Sequence, residues 1–369
     1  MRILHINCNY IGTTLHQLMV ERLDKLGYDN QVFVPTYNRN TSVIKVNSNV
    51  CVSECFKKWD RLFFDYKQSK IIQCVQKTFS VDSFDIIHAY TLFTDGNCAM
   101  KLSEKYNKPF VVAVRNTDVN TFFRYMPHLR KRGVEIMRKA NKIFFLSDTY
   151  RNQVFNKYVP KKYHAELLPK VCIIPNGIDD FWFNSRHEHL SLPQKDDLKL
   201  IFAGTIDHNK NIPTTQKAVR ILNDKGFNAH LTVVGRVIEK KEYTKVISDA
   251  NTTYITAQPK EKLIELYRHH DIFVMPSFTE SFGLVYVEAM TQGLPIIYSK
   301  EQGFDGQFEE GKVGYHVNAG SAEEVADAVI KILSQYRQIS HTCVDSANKF
   351  SWDKICSVYD TVYKNISEH

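Results

Sequence analysis

Short apolar runs rich in Ile, Val and Phe alternate along this chain with longer segments whose apolar positions recur at helical spacing. The runs predict strands over residues 2–9, 31–35, 84–90, 110–114, 142–147 and 171–175. A second series follows over 198–204, 230–235, 251–257, 271–277, 294–299 and 313–317. The helical segments between most of them are the crossovers that parallel strands need, so each series predicts a mainly parallel sheet covered by helices. Residues 181–197 are polar and broken, and read as a linker. The pattern therefore predicts an α/β protein of two doubly wound domains facing a cleft, with ligands at the carboxyl ends of the strands. The boundaries read as 1–180 for the first domain, 198–350 for the second and 351–369 for a closing helix, with Ser351 as N-cap and Asp353 in its first turn.

A length of 369 residues suits two cores better than one. The start, Met1 to Ile6, runs straight into a strand without the apolar core of a signal peptide. No apolar run approaches the roughly 18 residues that span a bilayer, and a cytoplasmic protein is expected. Cys51 and Cys55 are the one close pair among eight scattered cysteines and lack a second pair at zinc-binding spacing, so reduced, mostly buried thiols are expected. His187-Glu188-His189 has no third ligand beside it and reads as a solvated loop, so no metal site is expected there.

The net charge of +8 is unevenly spread. Up to residue 185 there are 27 Lys and Arg against 16 Asp and Glu; beyond it there are 21 against 24. No helix-turn-helix, RRM or zinc pattern accompanies the basic half, which favours an anionic membrane surface over nucleic acid as a partner. Thr121 to Lys142 interleaves Phe122, Phe123, Tyr125 and Met126 with Arg124, His128, Arg130, Lys131 and Arg132. That mixture suits a headgroup interface; the competing reading puts the aromatic residues in the core and leaves the cations as a solvated face.

The richest stretch for chemistry is Pro276 to Met290. It places Glu280 on a strand-to-helix loop and Glu288 about one and a half turns inside the helix that follows. Between them, around Phe282, Gly283 and Leu284, the free amides of a first helical turn attract anions. A diphosphate sugar fits this arrangement, one carboxylate taking sugar hydroxyls and the other a ribose. Gly204 and Thr205 follow another predicted strand, and Lys210 lies just beyond them, either as a surface lysine or as a cation for a diphosphate. Asn176-Gly177 is a turn signal at the domain junction. In the first half, Gly12 permits a close turn after the first strand, and Thr13 or Thr14 caps the next helix. Arg115, Asn116 and Asp118 crowd the end of another strand, as a reacting centre or as a helix-capping turn. His88 either lines the cleft or is a satisfied strand-end histidine.

Glu280 and Glu288 with their Pro-Ser, Phe-Gly-Leu, Glu-Ala-Met and Gly-Leu-Pro surroundings resemble the Glu-x7-Glu motif of glycosyltransferase family 4, retaining enzymes of the GT-B fold with two Rossmann-like domains. The resemblance is strong over residues 171–300 and weaker before them. It extends to the Pro-Asn-Gly-Ile-Asp segment ending at Asp179, and to Phe350-Ser351-Trp352-Asp353, which looks like the start of a last helix packing back on the N-terminal domain. It implies that Glu280 holds donor sugar hydroxyls, Glu288 the ribose and Lys210 the diphosphate. Where relatives often carry an arginine, this chain has Thr205, and Arg236 is the substitute candidate for the second phosphate. Asp118 and Arg115 would then serve the reacting centre, with His88 and Asn116 on the acceptor side. No Asp-x-Asp triplet occurs, so neither metal nor cofactor is expected beside the nucleotide sugar. The implied activity is transfer of a sugar to a hydroxyl of a glycan or lipid-linked acceptor, with cell-surface polysaccharide assembly as its setting. Its rivals are a nucleotide-sugar epimerase of the same fold and a non-catalytic partner subunit. An NAD oxidoreductase is disfavoured, because no Gly-x-Gly-x-x-Gly follows the first strand.

Overall fold

The computed structural model describes residues 1–38, 48–188 and 192–368. The chain divides into two compact units, Met1–Gly177 with Trp352–His369, and Ile178–Ser351.

The first unit holds seven parallel strands: β1 (Arg2–Ile6), β2 (Asp29–Thr36), β3 (Val50–Glu54), β4 (Ile86–Ala89), β5 (Phe110–Val114), β6 (Lys142–Phe145) and β7 (Val171–Ile173). Their order is β3-β2-β1-β4-β5-β6-β7, with Ile3 opposite Ile86 at the centre. The central strands are buried on both faces, as helices covering both sides of a parallel sheet require; every residue of β5 is inaccessible to solvent. β3 escapes the apolar pattern because it is a half-buried edge strand ending in Ser53 and Glu54. The helix Trp352–Ser367 belongs to this unit and packs on the helix Leu15–Lys25. Tyr359 and Tyr363 enter the core beside Ile86 and Phe144, and Tyr28 donates to Asp360 at 2.6 Å.

The second unit holds six parallel strands: β8 (Leu198–Ala203), β9 (Ala229–Gly235), β10 (Thr252–Thr256), β11 (Ile272–Met275), β12 (Ile296–Ser299) and β13 (Gly314–Val317). Their order is β10-β9-β8-β11-β12-β13. All six correspond to apolar runs read from the sequence. In both sheets the chain winds outward from a central strand, then resumes on that strand's other side. The sense of winding therefore reverses between β1 and β4, and again between β8 and β11, which is where such sheets open a crevice at their carboxyl ends.

At the start of the stretch read as a linker, and beginning one residue before it, Asp180–Asn184 form a short helix that Asp179 caps by accepting from the Phe181 amide at 2.9 Å. Residues 189–191 lie outside the described residues, His189 of the His-Glu-His triplet among them. No helix among the described residues is long and apolar enough to cross a membrane.

Candidate active site

Two loops meet at the reversal point of the second sheet. One follows β8 and carries a single helical turn, His208–Lys210. Asp207 starts this turn, accepting from the Lys210 amide, and Asn211 ends it in a left-handed conformation. The other loop follows β11 and leads through Glu280 into the helix Leu284–Thr291. Asn209 joins them: its side chain donates to the Thr279 carbonyl at 2.8 Å and accepts from the Thr279 amide at 2.9 Å. A third loop supports the second, since Gln302 accepts from the Glu280 amide at 3.0 Å and Gly303 donates to the Glu280 carbonyl at 2.9 Å. A side chain at position 303 would fall 1.8 Å from the Ser281 carbonyl oxygen, so only glycine permits this approach.

This scaffold brings Lys210 and Glu280 together. The Lys210 ammonium lies 2.6 Å from a Glu280 carboxylate oxygen, in a largely buried position. The other Glu280 oxygen accepts from the Ser281 amide at 3.0 Å. Gly283, at φ +78, turns the chain into the helix in a conformation that a side chain resists. Phe282 is buried against Phe304 and Phe350 and fixes the turn by packing. Leu284 is half-buried at the start of the helix, and the Tyr286 amide of the first turn donates to the Gly283 carbonyl at 3.0 Å.

Glu288 lies farther along the same helix and is half-buried. Its carboxylate makes no hydrogen bond among the described residues. Burial pushes its pKa up to about 7, the nearby Asp179 carboxylate adds to the rise and Lys260 opposes it. Lys260 itself bonds Asp179 at 2.7 Å. Asp179, Lys260, Asn209 and Gln302 are site residues that motif reading missed; the Pro-Asn-Gly-Ile-Asp segment was the one signal that could have pointed to Asp179.

The other donor-side residues are less engaged. Gly204 continues the sheet by donating to the Val234 carbonyl. The Thr205 hydroxyl is turned onto Asp207 at 2.6 Å. Arg236 is exposed just beyond β9.

In the first unit the candidates part ways. Gly12 and Thr13 line a cavity of about 1050 Å³ at the carboxyl ends of β1 and β2. The Thr13 hydroxyl accepts from the Leu15 amide at 3.2 Å, whereas Thr14 makes no side-chain cap. Asp118 is fully buried, and it accepts from the amides of Leu92 (2.9 Å), Phe93 (3.1 Å) and Arg115 (2.8 Å). Burial raises its pKa to about 6, against the lowering pull of those amides and of the Arg115 charge. With both oxygens engaged in this way, Asp118 ties the segment after β4 to the segment after β5. Arg115 donates to Asn176 at 3.1 Å. Asn116, half-buried, accepts from Asn120. His88 is fully buried and stacked on Tyr90, with Nδ1 2.6 Å from the Tyr363 hydroxyl. The strand-end packing reading of His88 is the one this geometry matches. Of the aromatic residues in the segment Thr121 to Lys142, Phe123 is fully buried and Phe122 packs on the core, while Tyr125 is 67% exposed.

Two doubly wound units, each with its reversal-point crevice, make a GT-B architecture. Solved structures agree over nearly the whole chain. Sucrose-phosphate synthase from Thermosynechococcus elongatus superposes with a TM-score of 0.77 at 17% identity, covering 99% of each chain. Anabaena HepE in complex with UDP gives 0.72 at 15% identity, covering 99% of this chain and 100% of that one. The sequence matches Glycosyltransferase Family 4 over residues 12–180 and Glycosyl transferases group 1 over residues 185–350. The chain belongs to glycosyltransferase family 4 and is a glycosyltransferase. Among curated relatives, the D-inositol 3-phosphate glycosyltransferase of Paenarthrobacter aurescens is 25% identical over 74% of this chain and 71% of its own length. The alpha-monoglucosyldiacylglycerol synthase of Acholeplasma laidlawii is 24% identical over 85% and 82%.

Proposed function

We propose that the protein is a retaining glycosyltransferase that binds a nucleoside-diphosphate sugar on its second unit and transfers the sugar to a hydroxyl of a glycan or lipid-linked acceptor. The observation that carries this reading is the Lys210–Glu280 pair at the sheet reversal point, with Glu288 on the helix that follows. Paired with each other, the two side chains present one cation and one anion at a helix N-terminus. A diphosphate sugar offers the complementary groups: phosphates for Lys210 and the first-turn amides, and sugar hydroxyls for Glu280. Glu288, whose carboxylate has no hydrogen bond among the described residues, accepts from the ribose. Arg236, exposed just beyond β9, serves the second phosphate in this reading, and the Thr205 hydroxyl is engaged with Asp207.

The main catalytic contribution is preorganised charge at the departing diphosphate. Departure on the face from which the acceptor approaches lets the leaving phosphate take the acceptor proton, and the anomeric configuration is kept. Asp118 shapes the acceptor-side loops through backbone amides, and Arg115 and Asn116 border them. The donor domain corresponds to residues 198–350 and the acceptor domain to 1–180 with the last helix. Curated relatives named for capsular polysaccharide biosynthesis and for synthesis of a glucosyldiacylglycerol support a role in cell-surface polysaccharide assembly.

The test is a thermal-shift screen against a panel of nucleotide sugars, since a specific donor stabilises the folded state by mass action. The stabilising donor is then assayed for consumption with and without acceptor extracts. Acceptor-dependent release of the nucleoside diphosphate is expected. Donor isomerisation without acceptor would make the protein an epimerase, and no stabilisation by any donor would overturn the reading.

A further inference from the structure

The cavity of the first unit has a mainly apolar wall that includes Phe56, Phe64, Phe122 and Met126, with Arg61 and Lys67 as cations on it. Its border continues onto the surface along Lys57 to Tyr66, where Arg61, Leu62 and Phe64 belong to the lining. In this stretch Trp59 is 77% exposed, Leu62 75%, Phe63 66% and Tyr66 55%. Single apolar residues on a surface are ordinary; four large ones within eight positions form a patch, and such patches mark interaction surfaces. Tyr125 adds to it beside Phe122 and Met126, which line the same cavity.

The charge around the patch identifies the partner. Lys57, Lys58 and Arg61 are exposed among the aromatic residues, and Arg124 and His128 flank Tyr125. The nearest acid, Asp60, is largely buried; it pairs with Lys70 at 2.7 Å and accepts from the Lys57 amide at 2.8 Å. Asp65 is exposed and lies 3.6 Å from Arg132. The face is therefore cationic with projecting rings. Exposed Trp, Tyr and Phe beside Lys and Arg match the boundary between headgroups and acyl chains of an anionic bilayer.

We propose that the lip formed by Trp59, Leu62, Phe63 and Tyr66 seats the first unit on an anionic phospholipid bilayer, with the adjoining cavity opening toward the lipid interface. The docking surface stands on this patch alone. Its use, presenting a membrane-held acceptor to the cavity, rests on the transferase reading above. The segment sought for this role in the sequence, Thr121 to Lys142, contributes only its start.

The protein carries its own reporter. Of its three tryptophans, Trp182 and Trp352 are 3% and 2% exposed, so Trp59 alone meets solvent. The full chain is mixed with vesicles of phosphatidylglycerol and phosphatidylcholine, and separately with phosphatidylcholine alone. On anionic vesicles at low salt, Trp59 emission shifts to the blue, acrylamide quenching falls and the protein floats with the lipid; on neutral vesicles binding is at least about tenfold weaker. Near 1 M salt, where the Debye length is about 3 Å, most of the protein is released. Phe63→Asp with Tyr66→Asp weakens vesicle binding by about tenfold or more, and leaves donor-induced thermal stabilisation unchanged. Lys57→Glu with Lys58→Glu, which spares the rings, weakens binding to anionic vesicles about fivefold or more per charge. The proposal is overturned if wild type fails to bind at low salt, if it floats without a change in Trp59 emission, or if both double variants bind as wild type does. It is equally overturned if sedimentation shows a dimer that Phe63→Asp dissociates, because the patch is then a contact between copies. Vesicle binding without stabilisation by any nucleotide sugar would keep the surface and discard the transferase reading; the reverse result would do the opposite.

Discussion

Glu280 and Asp118 each follow a buried parallel strand, β11 in the second unit and β5 in the first, with a basic residue nearby, Lys210 or Arg115. Their surroundings differ. Asp118 is fully buried and its carboxylate is taken up by three amides of its own unit. The Glu280 loop is held instead by Asn209, Gln302 and Gly303, which act on its neighbours and its backbone. One Glu280 oxygen accepts from the adjacent Ser281 amide, and the other pairs with a flexible side-chain cation, which a ligand's charges can compete for. We infer that a strand-end carboxylate is easier to recruit for chemistry when other groups hold its loop than when it holds the loop itself.

The largest effect expected from this contrast is on Glu280. Glu280→Gln keeps the shape and removes the charge. Loss of a charge-assisted hydrogen bond worth about 1.5–3 kcal/mol should slow transfer by about tenfold to a hundredfold, with a small change in folding stability. Steady-state kinetics and a melting curve check both halves; unchanged turnover would remove Glu280 from the site. Asp118→Asn should show the opposite profile. An amide cannot accept at both ends, so about 1–3 kcal/mol of stability is lost while donor affinity, read on the folded protein, stays near wild type. A stable Asp118→Asn protein that binds donor but has lost transfer would return this residue to the reacting centre.

Glu288 separates binding from stability in one residue. Its folded-state pKa of about 7 lies above the ordinary 4.5, so folding favours its protonated form. That contribution is fully present below about pH 4.5 and is lost as pH rises through about 7. Glu288→Gln, which stays neutral, should therefore melt higher than wild type without ligand at pH 8, the gap closing toward pH 5. The same variant should bind the nucleotide about tenfold or more weakly by calorimetry. A variant that melts lower at pH 8, or binds equally well, would contradict the assignment. The smallest expected effect is that of EDTA. If, as proposed, Lys210 and helix amides hold the diphosphate, and with no Asp-x-Asp in the chain, the transfer rate should be unchanged; complete loss restored by Mn²⁺ would show a different mechanism.

The second unit was largely legible in the sequence because its site is local. Glu280, Gly283 and Glu288 lie within nine residues, and the strands beneath them are uninterrupted apolar runs. In the first unit β3 was missed, since an edge strand buries only part of its surface and carries a weak apolar signal. His88 was ambiguous because a strand-end histidine has the same neighbours in sequence whether it faces a ligand or Tyr363, 275 positions away. Phe122 and Phe123 resembled a membrane-facing pair until the core claimed them.

By itself the sequence determined the strand-and-helix rhythm, the two parallel sheets and the Glu-x7-Glu element, because periodicity and loop chemistry act over a few neighbouring residues. Only the tertiary structure decided which polar groups remain available. It engaged Asp118 with amides from Leu92 and Phe93, set Asn209 and Gln302 to hold the Glu280 loop, and turned Trp59, Leu62, Phe63 and Tyr66 outward while similar residues nearby went into the core. Those outcomes depend on partners far away along the chain, and a side chain's availability is set by what the fold packs against it.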